Sequence, residues 1–156
     1  MRILIFSDTH RRTEACIQLL ENMQHQTDAV LHAGDVAEDI EKLQMTFPNL
    51  MIYGVRGNND FNTNLPTEQL LDFDGTKLFL THGHRYKVKY TYENLADSAA
   101  AQGASIAVFG HTHQSCTRTE NGILLLNPGS GGGIWPTYAV LEIENGKVST
   151  DILALR

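Results

Sequence analysis

Cysteine, tryptophan and positive charge are all scarce in this chain. Its two cysteines, Cys16 and Cys116, form no spaced pattern. A disulfide framework is therefore not read here, and a reduced interior is expected. Lysine and arginine together number 12 against 18 aspartates and glutamates, a formal charge of -6. That balance argues against long nucleic acid as a partner unless a local basic patch exists. No apolar run is long enough to span a bilayer, and Met1 leads straight into a strand-like segment. No membrane association and a cytoplasmic location are the expectation. There is no linker, internal repeat or low-complexity tract. With 42% hydrophobic residues over 156 positions, the chain can bury a real core as one domain, residues 1–156.

What the chain does have is a series of short apolar runs. Arg2 to Phe6, Ala29 to Leu31, Leu50 to Val55 and Ile106 to Phe109 read as strands. Helical spacing joins Cys16, Leu19, Leu20 and Met23, then Val36, Ile40, Leu43 and Phe47, then Tyr92, Leu95, Ala96 and Ala99. The pairs Asp74-Gly75, Asn121-Gly122 and Asn145-Gly146 signal hairpins. The first half thus alternates strand and helix, and the second half is mostly hairpins. The fold class read from this is α/β (α+β), a mixed sheet system with helices outside it.

The polar residues gather where the strands stop. Ser7-Asp8-Thr9-His10, His32-Ala33-Gly34-Asp35, Gly57-Asn58-Asn59-Asp60, Thr81-His82-Gly83-His84 and Gly110-His111-Thr112-His113 each follow an apolar run. In an open sheet such loops line one edge, where ligands bind. Asp8, His10, Asp35, Asn58, His82, His111 and His113 all offer donors suited to divalent cations. Seven are too many for one tetrahedral site and suit two ions sharing a carboxylate. Asp35, central in the set, is read as the bridge. Any one cluster alone is an ordinary turn or a solvated histidine pair. Five clusters together, four of them containing glycine, point to a centre.

The ordered set Asp8-x-His10, Gly34-Asp35, Gly57-Asn58-x-Asp60, His82-Gly83-His84 and Gly110-His111-Thr112-His113 resembles the calcineurin-like metallophosphoesterases. The short length and the Asn127-Pro128-Gly129-Ser130 segment resemble their small prokaryotic phosphodiesterase branch. The resemblance runs over essentially the whole chain. It implies a two-layer β-sandwich flanked by helices, with a dinuclear metal centre at the strand ends. Asp8, His10, Asp35 and His113 would hold one ion, and Asp35, Asn58, His82 and His111 the other. It further implies hydrolysis of a small phosphoester, a phosphodiester foremost, by a metal-activated bridging water with no phosphoenzyme. A phosphomonoesterase, a cyclic-nucleotide hydrolase and a catalytically weak metal-binding scaffold remain alternatives. Manganese is favoured by resemblance, with nickel, iron and zinc open.

One position departs from the pattern. Many family members carry histidine directly after the motif asparagine, and this chain has Asn59. Asparagine can donate a hydrogen bond to substrate but cannot act as a general acid near neutral pH. His84 is the replacement candidate, binding phosphate or donating a proton. Asp60 is read as orienting Asn58 or an imidazole. Arg11 either points at substrate phosphate or faces solvent at a helix start. Ser130 either contacts substrate or steadies the ligand loops. His32 is expected in the core with a satisfied ring. Exposed strand edges and Tyr86, Tyr90 and Tyr92 make a homo-oligomer an expectation too.

Overall fold

The segment Arg-Ile-Leu-Ile-Phe forms β1 (Arg2–Phe6), and every residue after Arg2 is buried. Side chains alternate across a strand, so Ile3 and Ile5 face one way and Leu4 and Phe6 the other. Both faces therefore need cover, and two layers supply it. In the computed structural model, which describes residues 1–156, Ile3 and Ile5 join a core with Leu78, Leu80, Ile106, Val108 and Leu126 of a second sheet. Leu4 and Phe6 pack instead against Cys16, Leu20 and Leu43 of two helices.

Those helices are α1 (Glu14–Met23) and α2 (Ala37–Thr46), and they alternate with β2 (Ala29–His32) and β3 (Met51–Gly54). β1, β2 and β3 run parallel, with Ile3 beside Ala29 and Ala29 beside Met51. The chain then builds the second layer from β4 (Glu68–Phe73), β5 (Thr76–Thr81), α3 (Glu93–Ala101), β6 (Ile106–Val108), β7 (Cys116–Glu120) and β8 (Ile123–Asn127). β9 (Thr137–Glu144) and β10 (Lys147–Ala154) complete the chain. The sheet orders are β10-β9-β1-β2-β3 and β4-β5-β6-β8-β7. Leu95, Ala96 and Ala99 of α3 cover Phe79, Ala107 and Leu125 on the outer face of the second sheet. The result is a two-layer β-sandwich flanked by helices, as expected.

The second half is less hairpin-like than its turn signals suggested. The Asp74-Gly75, Asn121-Gly122 and Asn145-Gly146 turns do close hairpins, with positive φ at both residues of each pair. Yet β5, β6 and β8 pair in parallel, and β9 returns to lie against β1. Turn chemistry is local and legible, whereas strand partnership is set by which faces must be covered. The parallel runs decide where the site lies. β1, β2 and β3 release the loops of their candidate ligands at one edge, β5 and β6 do the same in the facing layer, and β8 leads there into the glycine-rich stretch. No helix is long and apolar enough to cross a membrane.

Candidate metal centre

The loop after β1 carries Asp8 and His10, each at positive φ (52° and 47°). Asp35, His111 and His113 share this left-handed conformation, at 48°, 67° and 59°. Non-glycine residues are rarely held there, at a cost of order 1 kcal/mol or more each, and functional sites concentrate such residues. Backbone contacts enforce the conformation: Asp8 N–H donates to Gly34 O at 2.9 Å, and Gly131 N–H donates to Ser7 O at 2.8 Å.

Two clusters of ligand atoms result, Asp8–His10–His113 and Asp8–Asp35–His82. His10 Nε2 and His113 Nε2 are 3.2 Å apart, and His113 Nε2 lies 3.2 Å from Asp8 Oδ1. Asp8 is wholly buried. Its Oδ2 accepts from Ser7 Oγ at 2.6 Å and from His111 N–H at 3.1 Å. Its Oδ1 makes no hydrogen bond at all. An unpartnered buried carboxylate oxygen facing two imidazoles is costly, and a cation at that point satisfies it.

The second cluster has matching chemistry. His82 is fully buried, and its Nδ1–H donates to Ala33 O at 2.7 Å. In the neutral ring the Nε2 lone pair then faces Asn58 Oδ1 at 3.0 Å and Asp35 Oδ2 at 3.5 Å. In that form of the ring three electron-pair donors converge on one point. The His111 ring stands 5.1 Å from that of His82, and burial with His82 beside it pushes its pKa down to about 4. Imidazole ligands must be neutral, so this shift favours binding. The residues present fit two divalent cations. The acid common to both clusters is Asp8, whereas the sequence reading placed the shared carboxylate at Asp35.

The other expected residues fall around this centre. Asn59 Nδ2 donates to Asp35 Oδ2 at 2.7 Å and its N–H to Asp35 Oδ1 at 3.2 Å, so Asn59 aims the ligand carboxylate. Asp60 accepts from Gly57 N–H at 2.7 Å and Ala37 N–H at 2.9 Å, binding the Asn58 turn to the start of α2. Ser130 Oγ donates to Asp8 O at 2.8 Å, which steadies the ligand loop. Arg11 is exposed on the wall of a cavity of about 450 Å3 beside His10 and Asn59. Arg12 is exposed and donates to Gly132 O at 2.9 Å. His84 Nδ1 is buried without a partner, and burial, then His82, holds its pKa below the ordinary value.

The glycine-rich stretch packs behind the ligands. A Cβ on Gly132 would sit 2.0 Å from Thr9 O, so a side chain there would displace the Asp8–His10 loop. Asn127 Nδ2 donates to Gly110 O at 3.0 Å and Thr112 Oγ1 at 3.0 Å, holding the loop of His111 and His113. Sequence reasoning missed a buried chain beneath the centre. Gly34 N–H donates to His32 Nδ1 at 3.2 Å, which leaves His32 Nε2–H for Thr9 Oγ1 at 3.0 Å. Thr9 Oγ1 in turn donates to Asp39 Oδ2 at 2.6 Å, and Asp39 also receives Arg11 N–H at 2.8 Å. His32 was expected in the core with a satisfied ring, and it is. Asp39, on the first turn of α2, carried no signal to distinguish it from a solvated acid. Cys16 lies in the helix-covered core, where burial pushes its thiol up to about 12, so it is no nucleophile.

Residues 1–146 match the calcineurin-like phosphoesterase superfamily domain. The chain belongs to this superfamily. Among curated relatives it is 33% identical to the probable metallophosphoesterase YsnB of Bacillus subtilis, over 93% of this chain and 86% of that protein. It is 27% identical to phosphodiesterase MJ0936 of Methanocaldococcus jannaschii, over 92% of this chain and 94% of that protein. A predicted phosphoesterase of known structure from Streptococcus pneumoniae TIGR4 superposes with a TM-score of 0.83 at 28% identity, covering 98% and 88% of the two chains. The fold and ligand clusters of this member are those of a metal-dependent phosphoesterase-type enzyme.

Proposed function

We propose that this protein hydrolyses phosphodiesters at a dinuclear centre, with manganese as the activating ion. The observation that carries the reading is the buried, unpartnered Asp8 Oδ1 at the junction of two ligand clusters drawn from facing sheets. Two divalent cations, when bound, supply an activated water and offset charge on the phosphoryl oxygens. Asp8, His10 and His113 would hold the first position. Asp8, Asp35 and His82 would hold the second, with Asn58 and His111 completing it. Asp35 would serve the first position as well, and Asn59 keeps its carboxylate oriented. His84, 5.4 Å from the His82 ring and 6.1 Å from that of His111, hydrogen-bonds the ester next to the leaving oxygen. Its lowered pKa keeps the ring neutral in the free protein, so it orients the ester first. It becomes an acid only when a phosphate beside it raises that pKa. Arg11 steers the other end of the substrate. The phosphodiesterase name of the Methanocaldococcus relative supports the diester preference.

The test is a substrate panel on protein stripped of metal and reloaded with manganese, nickel, iron or zinc. Bis(p-nitrophenyl) phosphate should turn over faster than p-nitrophenyl phosphate or a cyclic nucleotide. Asp35→Ala should lower every rate by roughly a thousandfold, the scale of losing a main electrostatic contributor. Stoichiometric metal binding with no ester hydrolysed would overturn the reading.

A further inference from the structure

A larger cavity, about 660 Å3, opens on the Asn58 side of the centre, and its wall includes Arg56, Phe61, His84 and Arg85. Its lining is cationic in a chain of net charge -6. Arg56 is half-buried, yet its guanidinium forms no ion pair or side-chain hydrogen bond. Arg85 reaches Thr67 Oγ1 at 3.2 Å and stands 3.7 Å from Glu68 Oε1, which Tyr86 Oη–H already engages at 2.5 Å. Asp60 is the only acid in the wall, and both its oxygens are taken by backbone amides. Both arginines line the same cavity as His84.

A guanidinium held partly out of water without a partner is suited to bidentate capture of an oxyanion. The volume exceeds what one phosphate group fills. We infer that Arg56 and Arg85 form an anion subsite beside the metal centre, and that the substrate is a diester bearing a second phosphate near the scissile one. The catalytic half of this inference rests on the hydrolytic reading above, and the binding half does not. Phe61, 82% exposed and lining both cavities, offers an aromatic edge to the sugar or base between the two phosphates.

Two esters separate the possibilities. Both are p-nitrophenyl esters of thymidine 5′-phosphate, one with a free 3′ hydroxyl and one with a 3′ phosphate. On manganese-loaded protein the phosphorylated ester should show a KM lower by about tenfold, the scale of one charged bidentate contact. Arg56→Ala should erase that advantage and leave the unphosphorylated ester unchanged, while Arg56→Lys should keep part of it. Equal KM values for the two esters, or an equal loss on both in Arg56→Ala, would overturn the subsite. The second readout needs no turnover. Metal-free protein titrated with thymidine 3′,5′-bisphosphate should show amide NMR shifts at Gly57, His84 and Arg85, and Arg56→Ala should not. Shifts without hydrolysis of either ester would sink the hydrolytic reading and keep the subsite; no shifts would sink the subsite whatever the turnover.

Discussion

His32 shows how one side chain beneath the centre couples acid–base chemistry to folding. Its ring is fully buried, accepts from Gly34 and donates to Thr9. Burial, then the nearby His82, pushes its pKa from the ordinary 6.5 down to about 3. A depressed folded value means that the unfolded chain binds the proton more readily. The stability contributed is complete above the unfolded pKa and is lost as pH falls from about 6.5 toward about 3. The urea midpoint of the metal-free protein should drop across that window, by the equivalent of up to about 5 kcal/mol from this residue. His32→Gln should flatten the slope, and an unchanged slope would show that His32 is not its source. The sequence located His32 at the end of a strand. Its partners Thr9 and Asp39 come from other elements, so no local pattern announced the chain they form.

At the scale of the element, α2 and the turn after β3 are built as one unit. The N-cap residue of α2, Val36, has no side chain able to accept a hydrogen bond, and Asp60 supplies the missing acceptor to Ala37 N–H. Its other oxygen holds Gly57 N–H, and Asn58 follows immediately. A negative charge at a helix start is also favoured by the helix dipole. Asp60→Ala should cost about 2 kcal/mol in chemical denaturation, the value of a strong cap with a charged acceptor. Asp60→Asn should recover part of it. Turnover should fall more steeply than stability, because the freed turn lets Asn58 and Asn59 move off Asp35 and His82. The sequence pointed to Asp60 as an orienting acid near Asn58, and the element it anchors became visible only with α2 in place.

Across the whole molecule the centre is a cross-link between layers. Asp8, His10, Asp35 and Asn58 follow strands of the first sheet, and His82, His111 and His113 follow strands of the second. Without cations, the buried Asp8 Oδ1 faces the His10 and His113 imidazoles with no hydrogen-bond partner. Chelation should lower the melting temperature, and manganese at about a hundredfold over its dissociation constant should add about 2.7 kcal/mol. For a chain of this size that is a rise of about 5–10 °C. Asp8→Asn removes charge from both clusters and should abolish most of the rise in differential scanning calorimetry. A full rise in that variant would place the metal elsewhere.

The amino-acid sequence by itself determined the candidate ligand residues, the β1 strand with two apolar faces, the Asx-Gly hairpins and the family. These rest on side-chain chemistry and backbone preference within a few residues, and such information is local. Only the tertiary structure decided that β5, β6 and β8 run parallel, and that Asp8 belongs to both clusters. It also decided that Asn59 turns back onto Asp35, and that Arg56 lines a cavity without an ion-pair partner of its own. Each of these depends on which distant segments must cover one another's apolar faces. That is a property of the packed sandwich and not of any stretch of chain.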